Sequence, residues 1–253
     1  MVGPPGSGKS MLAKRLPALL PPLSSEEVLD ISVITSIAGM MNNEEGIVTK
    51  RPFRDPHSSP SMAAIVGGGK QAKPGEITLA HQGVLFLDEL PEFSRDVLES
   101  LRQPIENGTI TIARVNSHIT YPSRFQLIAA MNPCKCGYFG DIKATCSKAP
   151  KCAEDYQSKI SGPLLDRFDI RVDVPHINAF EVEDNDAEST SDVAKRIGSA
   201  IDIQKERYKG LGFSVNALVD GEVLIKFTEM DNASKNFLKN AVEKFSKARS
   251  NQY

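Results

Sequence analysis

The chain has 253 residues, 40% of them hydrophobic, with 30 basic against 32 acidic side chains; that is enough apolar material for one large domain or a core with a small second one. The balanced charge excludes a chain-wide attraction to nucleic acid or to a membrane surface, so any DNA-binding surface must be local. No apolar run reaches the ~20 residues of a membrane span and no charged-then-apolar leader is present, so a cytoplasmic protein with no membrane partner is expected.

The first element in chain order is a loop. Gly3-Pro4-Pro5-Gly6-Ser7-Gly8-Lys9-Ser10 fills the phosphate-loop pattern G-x-x-x-x-G-K-[ST] at every fixed position. Its glycines let successive backbone N–H groups turn toward a di- or triphosphate, Lys9 reaches the terminal phosphates, and the Ser10 hydroxyl is placed to hold magnesium. The helix that follows points its positive end at the same phosphates. Met11, Leu12, Leu16 and Leu19 are expected to form one face of that helix, and Pro21-Pro22 to end it. Only Met1 and Val2 precede Gly3, whereas a strand needs about five residues. The strand that normally carries such a loop is therefore expected to be nearly absent, and the chain to be part of a longer protein.

Ser24 with Glu27 three residues on predicts a capping box at the start of a second helix. Residues 39–83 read as irregular, with Gly67-Gly68-Gly69 and Pro74-Gly75 as turns. Val84-Leu85-Phe86-Leu87 reads as a buried strand that delivers Asp88 and Glu89 at its end, where open parallel sheets bind ligands. Asp88 suits a magnesium partner, and Glu89 the base that polarises an attacking water. Ser94 predicts the cap of a helix through Ile105, closed near Asn107-Gly108. Residues 109–115 and 118–121, joined by Asn116-Ser117, predict a β-hairpin.

Residues 127–131 read as a second buried strand, ending at Asn132, whose amide is placed to orient water or touch the terminal phosphate. A third strand is expected at residues 170–174. Just before it lies Arg167, either an arginine that faces a neighbouring subunit's nucleotide or the partner of Asp166 or Asp169. Strand–helix alternation behind a phosphate loop argues for an α/β fold with a parallel sheet covered on both faces.

All four cysteines fall in one stretch. Cys134, Cys136, Cys146 and Cys152 are separated by one, nine and five residues. Four thiolates within 19 residues are either a tetrahedral zinc set, stapling the loop between Asn132 and Arg167, or four reduced, partly buried thiols. Disulfides are not expected beside a phosphate loop in the cytosol.

Between Glu181 and Asp192 six acids and no base read as a solvated linker. Beyond it, Val193, Ile197, Ala200, Ile201 and Tyr208 recur at helical spacing, as do Phe237, Leu238, Ala241, Val242 and Phe245. The expected organisation is an α/β core at 1–180, a linker at 181–192 and a partial helical lid at 193–253. For DNA, the candidate surfaces are the hairpin with Arg114 and His118 and the loop with Lys70 and Lys73; the same residues also read as a few solvated charges.

The phosphate loop, the string Arg51-Pro52-Phe53-Arg54-Asp55-Pro56-His57, Pro74-Gly75-Glu76-Ile77, residues 83–90, Leu101-Arg102-Gln103-Pro104, Asn132-Pro133-Cys134 and residues 161–169 together resemble the magnesium-chelatase-like AAA+ ATPases of the ComM/YifB family. The resemblance runs in unbroken order from residue 1 to about 175, while 181–253 match only loosely. It implies a P-loop AAA+ core with a β-hairpin insertion and a helical lid, assembled as a homo-oligomeric, hexameric ring. It implies action on DNA in recombination, as a branch-migration helicase in natural transformation. By the same resemblance Gly3, Pro4, Pro5, Gly6, Ser7, Gly8, Lys9 and Ser10 bind ATP, and Asp88 and Glu89 serve magnesium and hydrolysis. Asn132 is then the polar sensor, Arg167 acts in trans, and Arg249 matches a lid sensor. Two other readings stand beside it: a remodelling subunit of magnesium-chelatase type, and a non-catalytic remnant that binds nucleotide weakly or not at all. Family members carry a domain ahead of the phosphate loop and continue past the sensor arginine into a further lid helix, so the chain is expected to be truncated at both ends and to turn over ATP poorly alone.

Overall fold

The computed structural model describes residues 1–41, 46–69, 71–114, 117–137, 139, 146, 148–176 and 188–250, the side chains at 114, 117 and 245–250 excepted. The chain divides into two compact units, Met1–Lys195 and Arg196–Tyr253.

The first unit is built on parallel strands. β1 (Phe53–Arg54) and β5 (Gln126–Ala129) flank β2 (Val84–Leu87), in register from Phe53 opposite Val84 and from Val84 opposite Gln126 to Leu87 opposite Ala129. All four residues of β2 are 0% exposed, as a strand covered on both faces requires. Its side chains alternate between two packing environments. Leu85 and Leu87 join Val97, Leu98, Leu101, Ile110 and Leu164, while Phe86 packs with Ala13 and Ala130.

Val2 extends this sheet, bridging in parallel to Met131 on one side and Asp173 on the other. Its N–H donates to the Val172 carbonyl at 2.9 Å, its own carbonyl accepts from Val174 at 2.7 Å, and the Gly3 N–H donates to Met131 at 3.2 Å. The phosphate loop thus leaves the sheet between two neighbours. The strand expected at 170–174 is reduced to the bridge at Asp173, with Ile170 79% exposed. The segment beside it pairs through one residue, Val2, so no longer ladder forms.

The hairpin consists of β3 (Thr109–Arg114) and β4 (Ser117–Pro122), with Thr109 opposite Pro122 and Arg114 opposite Ser117. Its connection, 115–116, lies outside the described residues. The stretch 39–83 is less irregular than its composition suggests: besides β1 it holds helical turns at Met62–Val66 and Glu76–Leu79.

Helix α1 (Lys9–Arg15) begins after Gly8, which sits at φ +84°, a conformation glycine adopts without penalty. It gives way to a 3-10 turn at Leu16–Leu19, since Pro17 has no N–H to continue the ladder. Met11 and Leu12, expected to share one face of this helix, are largely exposed; Ala13 is the residue pressed on the sheet. A small side chain there lets the helix lie close to Phe86. α2 (Ser25–Ile37) opens with the expected capping box: Glu27 N–H donates to Ser24 Oγ at 3.2 Å and Ser24 N–H to Glu27 Oε2 at 2.8 Å.

The single helix expected after Ser94 is two, α3 (Arg95–Ser100) and α4 (Arg102–Asn107). Pro104 cannot donate to the carbonyl four residues back, which breaks the ladder at Leu101. α5 (Lys151–Gln157) and α6 (Gly162–Leu165) follow the cysteine-bearing stretch. Most of the acidic segment, residues 181–187, lies outside the described residues.

Helix α7 (Thr190–Arg207) leads into the second unit, which continues with α8 (Gly221–Phe227) and α9 (Asn232–Ser250). Tyr208 is buried there, edge-on to Phe227 at 5.3 Å, with its hydroxyl donating to Asn216 Oδ1 at 2.9 Å. The apolar stripe of α9 is exposed rather than packed, Phe237 at 78%. No helix among the described residues is long and apolar enough to cross a membrane.

Candidate nucleotide site

Three chain segments meet where the parallel strands end. The loop after Val2 supplies Lys9 and Ser10, the end of β2 supplies Asp88 and Glu89, and the end of β5 supplies Asn132. Lys9 is 8% exposed, and its ammonium donates to the Gly3 carbonyl at 2.7 Å, the Pro4 carbonyl at 2.8 Å, Asn132 Oδ1 at 3.3 Å and Ser7 Oγ at 3.4 Å. Burial pushes this ammonium below the usual lysine range, and the Asp88 carboxylate draws it part of the way back. A cation held inside a loop of backbone dipoles is suited to meet phosphate oxygens.

The Ser10 hydroxyl donates to Asp88 Oδ2 at 2.5 Å, and Asp88 Oδ1 accepts the Glu89 N–H at 3.0 Å. A hydroxyl beside a carboxylate is an all-oxygen set, the donor chemistry of a hard cation such as magnesium, which keeps waters and takes phosphate oxygens as its further ligands. Glu89 itself lies at φ 53°, ψ 47°, a left-handed conformation uncommon outside glycine. Hydrogen bonds just after it help hold it there: Leu90 N–H to the Ala130 carbonyl at 3.0 Å and Glu92 N–H to the Glu89 carbonyl at 2.8 Å. Strain of this kind, of order 1–3 kcal/mol, persists where the surroundings over-determine the backbone.

A cavity of about 280 Å³ beside Asp88 and Glu89 is also lined by Asp55, Pro56, His57 and Ser58. Burial and the Asp88 carboxylate raise the Asp55 carboxyl above its ordinary value, against the pull of Lys14. Sequence reasoning gave Asp55 and His57 no role. The available signal was the string from Arg51 to His57, whose strand is only two residues long and carries no hydrophobic periodicity. Its two arginines are anchors. Arg51 donates to the Pro21 and Gln82 carbonyls at 2.8 and 2.7 Å and pairs with Glu27, and Arg54 holds Glu76 through Nε at 2.5 Å and a terminal nitrogen at 2.7 Å.

The four cysteines converge as well. Their sulfur atoms all lie within 4.8 Å of one another, Cys134 and Cys146 buried, Cys152 half-buried and Cys136 exposed. Cys134 and Cys136 stand 3.1 Å apart. Burial pushes the Cys134 thiol up, but the contact with Cys136 and the backbone N–H groups of Phe139, Gly137 and Cys136 outweigh it, leaving the thiol at about 7. Four sulfur donors at this separation match the ligand set of a structural zinc.

Two further candidate residues, Arg167 and Arg249, are expected from the sequence resemblance, Arg167 toward a neighbouring copy. The Arg167 guanidinium pairs with Glu106 of α4, and neither Asp166 nor Asp169 is the partner. The Arg249 side chain lies outside the described residues. Of the candidate DNA contacts, Lys73 and His118 are exposed, whereas Lys70 and the Arg114 side chain lie outside the described residues.

A family model described as magnesium chelatase, subunit ChlI, matches residues 1–182, and a second, described as magnesium chelatase, subunit ChlI C-terminal, matches residues 187–250. The second match replaces the loose correspondence expected of 181–253. An uncharacterized protein of Mycobacterium tuberculosis is 46% identical over 225 residues, covering 88% of this chain and 44% of its own length. YifB of Escherichia coli is 43% identical over 236 residues (91% and 45%), and the competence protein ComM of Haemophilus influenzae 41% identical over 247 residues (96% and 47%). The chain thus spans about half the length of the curated relatives it matches.

Proposed function

Because the chain belongs to the magnesium chelatase ChlI family, as one of its ComM/YifB-type AAA+ members, we propose that it is the ATP-hydrolysing module of a ring-forming motor that acts on DNA. The observation that carries this reading is the convergence of Lys9, Ser10, Asp88 and Asn132 from the bridge at Val2 and the ends of two parallel strands, β2 and β5.

In this reading residues 3–10 cradle the phosphates of ATP, and Lys9 exchanges its loop oxygens for phosphate oxygens. Ser10 and Asp88 would hold magnesium, which would supply charge neutralisation on the terminal phosphates. Glu89 takes the proton of the attacking water, and Asn132 orients that water. Arg167, half-exposed in its pair with Glu106, exchanges that partner for the phosphate of a neighbouring copy in a homo-hexamer. An exposed ion pair is worth roughly 0–1 kcal/mol, so the exchange costs little. Arg249 is the lid sensor. Residues 1–180 act as the core, 181–192 as the linker and 193–253 as the lid. The four thiols form a zinc site.

DNA is the favoured polymer because a relative 41% identical bears the name of a competence protein. Branch migration in recombination during natural transformation, in the cytoplasm, is the specific activity proposed, with His118, Lys73, Arg114 and Lys70 on the phosphate-tracking surfaces. The descriptions of both family models favour a second reading, a remodelling ATPase of magnesium-chelatase type. ATP turnover measured with and without branched DNA separates the two. Stimulation by DNA supports the first and turnover indifferent to DNA the second. Absence of turnover at any ATP concentration rejects both in favour of a non-catalytic remnant.

A further inference from the structure

The cysteine cluster is built against the phosphate loop. Asn132, Pro133 and Cys134 are consecutive, so the residue that accepts a hydrogen bond from Lys9 is two positions from a buried sulfur. On the other side of Cys134 the chain turns back, with the Gly137 N–H donating to the Cys134 carbonyl at 2.9 Å. Gly137 sits at φ +84°, and a Cβ added there would lie 2.6 Å from Pro5 Cδ and 2.7 Å from Pro5 Cγ. Backbone is therefore packed directly on the middle of the phosphate loop, at a position where only glycine fits.

α5 closes the arrangement. It carries Cys152, and its Gln157 Nε2 donates to the Pro133 carbonyl at 2.9 Å. Lys135, Lys148, Lys151 and Lys159 line a cavity of about 720 Å³ together with Cys152. Four thiolates around a divalent ion carry a net charge of −2, and four lysines against the one acid, Asp155, leave the lining of this cavity positive.

We infer that zinc, on the reading of the four thiols given above, is the brace of the phosphate loop. Its occupancy at Cys134, Cys136, Cys146 and Cys152 sets the rigidity of residues 3–8 through Gly137 on Pro5 and through Asn132 on Lys9. Zn²⁺ binds as the thiols release their protons to solvent, forming four Zn–S bonds with no change of oxidation state. The tetrahedral knot then fixes both ends of the turn that touches Pro5. Without the ion, the described turn keeps its 2.9 Å hydrogen bond and loses the cross-link to Cys146 and Cys152.

The test uses the full 253-residue chain under reducing conditions. Metal analysis should give about one zinc per chain, with loss of the ion in Cys136→Ser and Cys152→Ser. Cobalt in its place should show the visible absorption of a tetrahedral thiolate site. Hydrogen exchange then compares zinc-loaded and stripped protein. The amides of Gly3, Gly6, Ser7 and Gly8 should exchange at least about tenfold faster once stripped, while β2 stays protected. Gly137→Ala should speed the same amides with zinc still bound. Absence of zinc with all four thiols freely reactive overturns the inference, as does bound zinc whose removal leaves loop exchange unchanged or unprotects β2 equally. ATP binding is measured separately: its failure would overturn the proposed function while leaving the zinc and exchange results readable.

Discussion

The Ser10 hydroxyl donates to Asp88 Oδ2 at 2.5 Å across 78 positions of sequence, joining the start of α1 to the end of β2. The pair is prepared for a cation, since one carboxylate oxygen meets the hydroxyl and the other is fixed by the Glu89 N–H. Asp88→Asn and Ser10→Ala should each weaken binding of ATP with magnesium far more than binding of ATP without it. A hydrogen bond involving a charged group is worth about 1.5–3 kcal/mol, so the magnesium-dependent part should fall at least about tenfold. Titrations of a fluorescent ATP analogue with and without magnesium check this; equal losses in both would remove the metal role.

Glu89 joins an acid to a strained backbone. Glu89→Gln should leave ATP binding intact and lower turnover by roughly 10²–10⁴, the range of a positioned general base. Glu89→Gly should abolish turnover as well, yet raise stability by about 1 kcal/mol, because glycine accepts the left-handed conformation at φ 53° without strain. Urea unfolding and ATP turnover on the same two variants test the pair of effects. A glycine variant no more stable than the parent would show that the conformation is not strained.

His81 gives a pH dependence with a definite sign. It is 3% exposed, its Nδ1 accepts the Arg124 N–H at 3.0 Å, and its Nε2 is 3.9 Å from Asp30. Burial holds its pKa below the ordinary 6.5; Asp30 and Glu27 pull upward against this and Arg124 pushes further down. The unfolded chain therefore takes up the proton first on acidification. Stability contributed by neutral His81 is complete above about 6.5 and is lost as pH falls from there toward the lower folded value. Urea midpoints should decline between about pH 7.5 and 5.5, and His81→Gln should flatten that decline. A slope unchanged in the variant would assign it to other groups.

Much of the chemistry was legible because it is written in local strings. The pattern from Gly3 to Ser10, the apolar run of β2 before Asp88 and Glu89, the Ser24–Glu27 box and the clustering of the cysteines each need only a few neighbouring residues to be recognised. The failures lie where distant contacts decide. Periodicity identified α1 but not that Ala13, rather than Met11 and Leu12, meets Phe86, because the fit depends on the strand beneath it. Arg167 finds Glu106, 61 positions away, instead of the acids adjacent to it in sequence. Asp55 and His57 reach the site from a two-residue strand, too short to leave a periodic signal.

Equilibrium binding of ATP with magnesium to the 253-residue chain, compared with its Lys9→Ala variant, tests the central claim most directly. Lys9 touches three oxygens of the loop and one of the Asn132 side chain and is the one buried lysine among the described residues. The account predicts saturable binding of one ATP per chain, weakened by Lys9→Ala at least about tenfold through loss of a charge-assisted contact to phosphate. Absence of saturable binding by the parent chain, or equal binding by the variant, would contradict it.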